Sequence, residues 1–212
     1  MKYKGIIFDL DGVICSTDEY HYLAWKALAD QLGIGFDRQI NNRLRGVSRM
    51  ESLEIVLEKS DKTFSDEQKQ QLAETKNALY RELLGQMSEA DLSNEVRDTL
   101  NALRERGLKL AIGSSSKNTP FILERIGLSG FFDAVSDGNN ITHSKPDPEV
   151  FLKAAQMLGL PPAECLVVED AHAGVEAAVT GGFECAASGE ARDDDRAAWH
   201  LNTFSDMLSA VI

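Results

Sequence analysis

Cysteine is scarce: Cys15, Cys165 and Cys185 are odd in number and widely spaced among 212 residues, which suggests neither a disulfide framework nor a zinc cluster. A reducing, cytoplasmic compartment fits that usage. Long apolar runs are missing as well. Near the N-terminus only Ile6-Ile7-Phe8 stands before charge appears, so no signal peptide and no membrane span are expected. Basic charge is in deficit. With 22 Lys+Arg against 34 Asp+Glu, the formal net charge is −12, which argues against nucleic acid or an anionic membrane as the main partner. It does not exclude a phosphate-bearing substrate, because the charge of a pocket is local. There is no internal repeat and no low-complexity tract. What is present is a hydrophobic fraction of 43%, enough for one sizeable domain, or for a core with a smaller insertion.

Five short apolar runs read as buried parallel strands: Gly5–Phe8, Leu108–Ile112, Ala134–Val135, Cys165–Val168 and Phe183–Ala187. Helical spacing lies between them. Val96, Leu100 and Leu103 repeat toward a stop at Gly107, Asn118-Thr119-Pro120 opens a helix carrying Phe121, Leu123 and Ile126, and another runs from about Ala171 to Val179. Asp147-Pro148 opens a further one, with proline at the first helical position. Alternating strand and helix indicates an α/β fold with a parallel sheet. From Ser16 to about Met87 the pattern is helical only. Ser16-Thr17-Asp18-Glu19 and Ser65-Asp66-Glu67-Gln68 read as capping boxes, and their helices end at Gly33 and near Gly85. The expected organisation is therefore an α/β core made of residues 1–16 and 88–212, with residues 17–87 as an all-helical insertion after strand one. The run Arg192–Arg196 reads as a solvated loop.

Chemistry gathers at the strand ends. Asp9 and Asp11 follow the first strand, in Asp9-Leu10-Asp11-Gly12, where a parallel strand delivers its chain to the ligand crevice. Two close carboxylates need a counter-charge or a proton. Alone, this would be an Asp-Gly turn. Ser114, Ser115, Ser116, Lys117 and Asn118 follow the second strand, where hydroxyls and free amides before a helix can cradle phosphate. Lys145 precedes Pro146, and Glu169-Asp170 close another buried run. Each piece has an ordinary reading as polar loop, surface lysine or helix cap. All four in order at successive strand ends make a site for a hard divalent cation and a phosphoryl group.

These motifs resemble those of the haloacid dehalogenase superfamily of aspartate-nucleophile phosphotransferases, with its Rossmann-like core and inserted helical cap. The resemblance implies that Asp9 attacks phosphorus and that Asp11 is the general acid and base. It implies that Ser114 and Lys145 hold the phosphoryl group. It also implies that Mg²⁺ is bound by Asp9, Glu169, Asp170 and the backbone carbonyl of Asp11, and that Lys145-Pro146 is a candidate cis peptide.

Within the helical stretch, Leu44-Arg45-Gly46-Val47-Ser48-Arg49-Met50-Glu51-Ser52 reads on composition either as a polar helix–helix turn or as a phosphate-binding loop. Lys76 sits among Leu72, Leu79 and Leu83 on the apolar stripe of its helix, either snorkelling to solvent or reaching an anion. The loop closely resembles the substrate loop of the β-phosphoglucomutases, and Glu19-Tyr20-His21 with Ala24-Trp25-Lys26-Ala27-Leu28 resembles their first cap helix. That resemblance implies substrate contacts from His21, Trp25, Arg45, Gly46, Val47, Arg49, Ser52 and Lys76, a distal phosphate site at Arg49, Ser116, Lys117 and Asn118 beside Ser115, and a hinge at Thr17. The implied reaction interconverts β-glucose 1-phosphate and glucose 6-phosphate through glucose 1,6-bisphosphate, on a monomer with Mg²⁺ as cofactor. Alternatives are a sugar-phosphate phosphatase, a mutase for a related hexose or disaccharide phosphate, and a non-catalytic sugar-phosphate sensor. Arg45 stands where a lysine is common, Cys15-Ser16 where Thr-Asp is common, and Ser93-Asn94 where many relatives have Pro-Gly.

Overall fold

The computed structural model describes residues 2–211. Six strands, β1 (Gly5–Phe8), β2 (Lys109–Gly113), β3 (Ala134–Ser136), β4 (Cys165–Glu169), β5 (Glu184–Ala187) and β6 (Trp199–His200), form one sheet in the order β3-β2-β1-β4-β5-β6. Every pairing is parallel. Between β1 and β2 lie α1 (Asp18–Leu32), α2 (Arg38–Asn42), α3 (Arg49–Leu57), α4 (Asp66–Leu84) and α5 (Asn94–Glu105). Helix α6 (Thr119–Arg125) follows β2, α7 (Glu149–Leu158) follows β3, α8 (His172–Thr180) follows β4, and α9 (Met207–Ala210) ends the described chain.

The central strands are apolar without interruption because both faces of the sheet are covered. Ile6 and Phe8 pack with Leu110, Ile112, Leu166 and Val168, together with Val96, Leu100 and Leu103 of α5. Ile7 points the other way, with Ala111 and Val167, into Val150, Phe151 and Ala154 of α7 and Val175 of α8. Each such aliphatic side chain contributes roughly 1.5–3 kcal/mol by leaving water. β1 sits between β2 and β4, with Phe8 level with both Ile112 and Val168. The direction of winding reverses there, and the crevice beyond the strand ends is where such sheets bind ligands. The helical stretch has an apolar cluster of its own, built on Trp25, Leu28, Phe36, Ile40, Leu53 and Val56, while Tyr80, Leu84 and Ala24 pack down onto the core.

The parallel α/β fold with helices inserted after β1 is the one expected, and several local readings change. The Ser65 capping box forms, but the one read at Ser16-Thr17-Asp18-Glu19 does not: Thr17 takes the cap position of α1 without a side-chain bond, its hydroxyl being given to Asp11. Pro148 is the cap of α7 rather than its first residue. The run Arg192–Arg196 is not simply solvated. Asp194 is buried, accepting from Arg196 Nη2 and pairing with His172 Nδ1, both at 2.7 Å. β6 escapes the apolar-run criterion because its two residues, Trp199 and His200, are exposed.

Candidate active site

Backbone pairing delivers the acids to one place. The Asp9 N–H donates to the Val168 carbonyl at 2.9 Å, which fixes the exit of β1 against β4. The chain then turns at Gly12, whose φ of 89° favours glycine. Space demands glycine as well, since a Cβ there would lie 2.1 Å from Asp170 Oδ2. Lys145, fully buried and joined to Pro146 by a cis peptide, donates to Asp9 Oδ1 at 2.5 Å and to Glu169 Oε1. The other Glu169 oxygen accepts the N–H groups of Asp170 (3.0 Å) and Ala171 (3.1 Å). The Thr17 hydroxyl donates to Asp11. Ser114 is buried at the end of β2, its N–H bonded to the Ser136 carbonyl, and its Oγ accepts the Ser116 N–H at 3.2 Å.

Burial pushes the Asp9 carboxyl well above its ordinary range; Lys145 opposes this, while Glu169, Asp170 and Asp11 add to it. Asp170 is pushed up to about 8 by burial, then by Glu169, against Arg45 and Lys145. Burial favours a neutral Lys145, yet Asp9 and Glu169 outweigh it and hold the ammonium above the usual lysine range. Burial also raises Asp11 to about 6, and the Thr17 hydroxyl opposes that by favouring the ionised form. A carboxylate nucleophile must be ionised, so this cluster calls for more positive charge than Lys145 supplies. Ligand oxygens of Asp9, Glu169 and Asp170 lie within 4.8 Å of one another. An all-oxygen set of buried carboxylates suits a hard divalent ion.

Above the acids opens a cavity of about 1100 Å³. It is lined by Asp9, Asp11, His21, Trp25, Arg45, Gly46, Val47, Arg49, Ser52, Lys76, Ser114, Ser115, Ser116, Lys117, Asn118, Glu169 and Asp170. Of the residues singled out from sequence, Thr17 and Lys145 lie behind this wall, each bonded to an acid that forms it. The wall contributed by the inserted helices is cationic. Lys76 is only 3% exposed, so it does not snorkel to solvent. Its ammonium lies 3.0 Å from His21 Nδ1 and over the rings of Tyr80 (4.3 Å) and Trp25 (4.8 Å). Burial, then Arg49, depress the Lys76 pKa well below its ordinary value, with Asp11 opposing. Burial, then Lys76 and Arg49, depress that of His21. Arg49 opens α3 just after a capping box formed by Ser48 and Glu51. Positive groups held this close, and poor in carboxylate partners, make this wall suited to an anion.

A model of the haloacid dehalogenase-like hydrolases matches residues 3–182. The chain belongs to that family. It is 42% identical to a beta-phosphoglucomutase of Bacillus subtilis over 182 residues, spanning 85% of this chain and 80% of that protein. A phosphorylated carbohydrates phosphatase of Thermotoga maritima is 30% identical over 184 residues, 85% and 82% of the two chains. The crystal structure of a beta-phosphoglucomutase from Clostridium difficile superposes with a TM-score of 0.91 at 35% identity, covering 97% of this chain and 93% of that one.

Several contacts at this family member's site were not read from the sequence. Asp18 and Asp170 both bind Arg45, the second at 3.4 Å, with Glu190 at 3.8 Å. The Ser144 hydroxyl donates to Glu51 at 2.7 Å, and the Ser115 hydroxyl to the Gly46 carbonyl at 3.3 Å, so loop and strand ends are tied directly. Tyr80, four residues after Lys76 and beside it on one helix face, stacks on His21 with centroids 4.1 Å apart. That spacing was the available signal.

Proposed function

We propose that the chain is a β-phosphoglucomutase that interconverts β-glucose 1-phosphate and glucose 6-phosphate through glucose 1,6-bisphosphate. The observation that carries this reading is that Arg49 and Lys76 line the same cavity as Asp9. A hydrolase of small phosphate esters needs one phosphoryl site. A mutase must hold a second phosphate while the first reacts, and a cationic cap wall supplies it. The 42% identity to the Bacillus subtilis enzyme supports the same choice.

In this proposal Asp9, once phosphorylated, donates its phosphoryl group to the 6-hydroxyl of bound β-glucose 1-phosphate. Asp11 takes the hydroxyl proton as the new P–O bond forms and the Asp9–phosphoryl bond breaks. The bisphosphate turns end for end. Asp9 then attacks the phosphorus at C1, Asp11 returns its proton to the sugar oxygen, and glucose 6-phosphate leaves. Lys145 orients Asp9 and neutralises the phosphoryl oxygens, and the Ser114 hydroxyl donates a hydrogen bond to one of them. Mg²⁺, held by Asp9, Asp170, Glu169 and the Asp11 carbonyl, would supply the positive charge that lets an anionic nucleophile approach an anionic ester. Arg49, Ser116, Lys117 and Asn118 hold the distal phosphate, and residues 17–87 act as a specificity cap over the core, moving about Thr17. Trp25, His21, Gly46, Val47 and Ser52 shape the sugar subsite. The enzyme is proposed to be a cytoplasmic monomer.

The test is a panel of α- and β-sugar 1-phosphates assayed with Mg²⁺ and bisphosphate primer. Turnover of β-glucose 1-phosphate, and not of its α anomer, is expected. Absence of β-anomer turnover would refute the assignment. A second reading, a sugar-phosphate phosphatase on the same core, is favoured by the Thermotoga maritima relative. It requires phosphate release from hexose phosphates that outpaces isomerisation.

A further inference from the structure

Asn118 stands at the cap position of α6, where an asparagine ordinarily accepts an N–H of the first helical turn through its side chain. Here it makes no such bond. Its amide is spent on α4 instead. Nδ2 donates to Asn77 Oδ1 at 2.9 Å, and Oδ1 accepts from Arg81 Nη1 at 3.3 Å. Arg81 also lies over the ring of Phe121 on α6, 4.7 Å from its centroid. Asn77 and Arg81 are four residues apart, on one face of α4. Asn77 is the neighbour in sequence of Lys76, the buried cation of the cap wall.

The core end of this contact is rigid. The Asn118 N–H donates to Ser116 Oγ at 3.2 Å, the Thr119 hydroxyl to the Ser116 carbonyl at 2.9 Å, and the Ser116 N–H to Ser114 Oγ at 3.2 Å. The Gly138 N–H binds that same Ser116 carbonyl at 3.2 Å. The serine loop is thus a braced platform, and the Asn118 amide is what it offers to the cap.

We propose that Asn77 and Arg81 are positioning residues that dock α4 onto the serine loop through Asn118, and so set Lys76 at the distance from Asp9 that a sugar phosphate requires. Asn118 also lines the cavity, and its amide keeps a second N–H beyond the one given to Asn77, so Asn77→Ala is the variant that isolates the docking contact. This rests on the sugar-phosphate reading of the cavity. A substrate that fills only the Asp9 end, such as an aryl phosphate, does not need the docked cap.

The experiment measures kcat and KM for β-glucose 1-phosphate and for p-nitrophenyl phosphate in wild type, Asn77→Ala, Asn118→Ala and the double variant. Asn77→Ala is expected to raise KM for the sugar phosphate about tenfold, as for one lost hydrogen bond in a site that must dock. Its p-nitrophenyl phosphate hydrolysis should stay within about twofold, which also reports an intact fold. The double variant should be no worse than Asn118→Ala alone, since both remove the same contact. Asn77→Ser, which keeps an acceptor without adding charge, should recover part of the lost KM. Equal losses on both substrates, no loss on the sugar phosphate, or additive effects of the two substitutions would each overturn the proposal. If the wild type hydrolyses hexose phosphates without isomerising them, the mutase assignment fails. The same variants are then compared on that hexose phosphate, and the docking inference stands or falls separately.

Discussion

Replacing Lys76 by methionine should make the protein more stable and its sugar-phosphate binding much weaker. Methionine nearly matches lysine in length and fills the same apolar channel between Trp25 and Tyr80. Among the described residues no carboxylate lies within 4.0 Å of the Lys76 ammonium; its near polar partner is His21 at 3.0 Å. A buried cation without an anion costs stability, and two aromatic faces return only part of it. Relieving such a site is worth about 1–3 kcal/mol, which for a chain of this size raises Tm by about 3–10 °C. The pH dependence has a definite sign. Lys76 has a depressed pKa in the folded protein, so the unfolded chain binds the proton more readily. Stability of the wild type therefore rises with pH from the depressed value toward the ordinary lysine value of 10.5. Substrate binding has the opposite slope. A phosphate ester prefers the charged lysine, so KM climbs as pH passes upward through the depressed pKa. The lost charge-assisted contact is worth about 1.5–3 kcal/mol, a ten- to hundred-fold rise in KM. Thermal melts and KM across pH, on wild type and Lys76→Met, measure both. A variant that melts lower than wild type, or keeps the wild-type KM, would refute the view of Lys76 as a strained cation awaiting an anion.

Asp9→Asn should abolish the covalent phosphoenzyme, seen as loss of the phosphoryl mass increment after incubation with bisphosphate, while the fold survives. Chelation should abolish turnover, and returning Mg²⁺ should restore it. Because Asp9, Glu169 and Asp170 repel one another, Mg²⁺ at a hundred times its Kd should stabilise the fold by about 2.7 kcal/mol, read as a Tm increase of about 5–10 °C. Asp194→Ala should destabilise by about 1 kcal/mol, since Arg196 lies near solvent and water screens the pair. Its bonds to Arg196 and His172 hold the Asp194 carboxyl below the usual range. That stability is present above the unfolded aspartate value and is lost as pH falls through the folded one. A melt of Asp194→Ala against wild type at neutral and acid pH checks this, with the sugar-phosphate KM unaltered.

Strand ends are legible in a sequence like this because a parallel strand buried on both faces must be apolar throughout. The first polar residue after it then marks the crevice. Asp9, Ser114 and Glu169 were found that way. Lys145 follows no strand directly and was found through its place in the order of motifs. Misreadings concern polar residues whose partners are remote. Thr17 has the composition of a helix cap, but Asp11 takes its hydroxyl. Asn118 does stand at the cap of α6, as its place before Thr119-Pro120 indicates, but its side-chain partners lie on α4, 41 and 37 residues away in the chain. Asp194 sits in a charge run whose neighbours suggest solvent, while His172 and Arg196 fold over it. Local spacing carries no information about such contacts. Lys76 is the intermediate case: its place on an apolar stripe announced that something unusual was required, and burial shows that the tip does not return to solvent.

The central claim is that this site transfers phosphate between two positions of one sugar rather than to water. The direct measurement follows glucose 6-phosphate and inorganic phosphate together, in one reaction started from β-glucose 1-phosphate with Mg²⁺ and a trace of glucose 1,6-bisphosphate. The account predicts that glucose 6-phosphate appears many times faster than phosphate, and that Arg49→Ala narrows the ratio by slowing isomerisation selectively. Phosphate release that equals or exceeds glucose 6-phosphate formation in the wild type would contradict it.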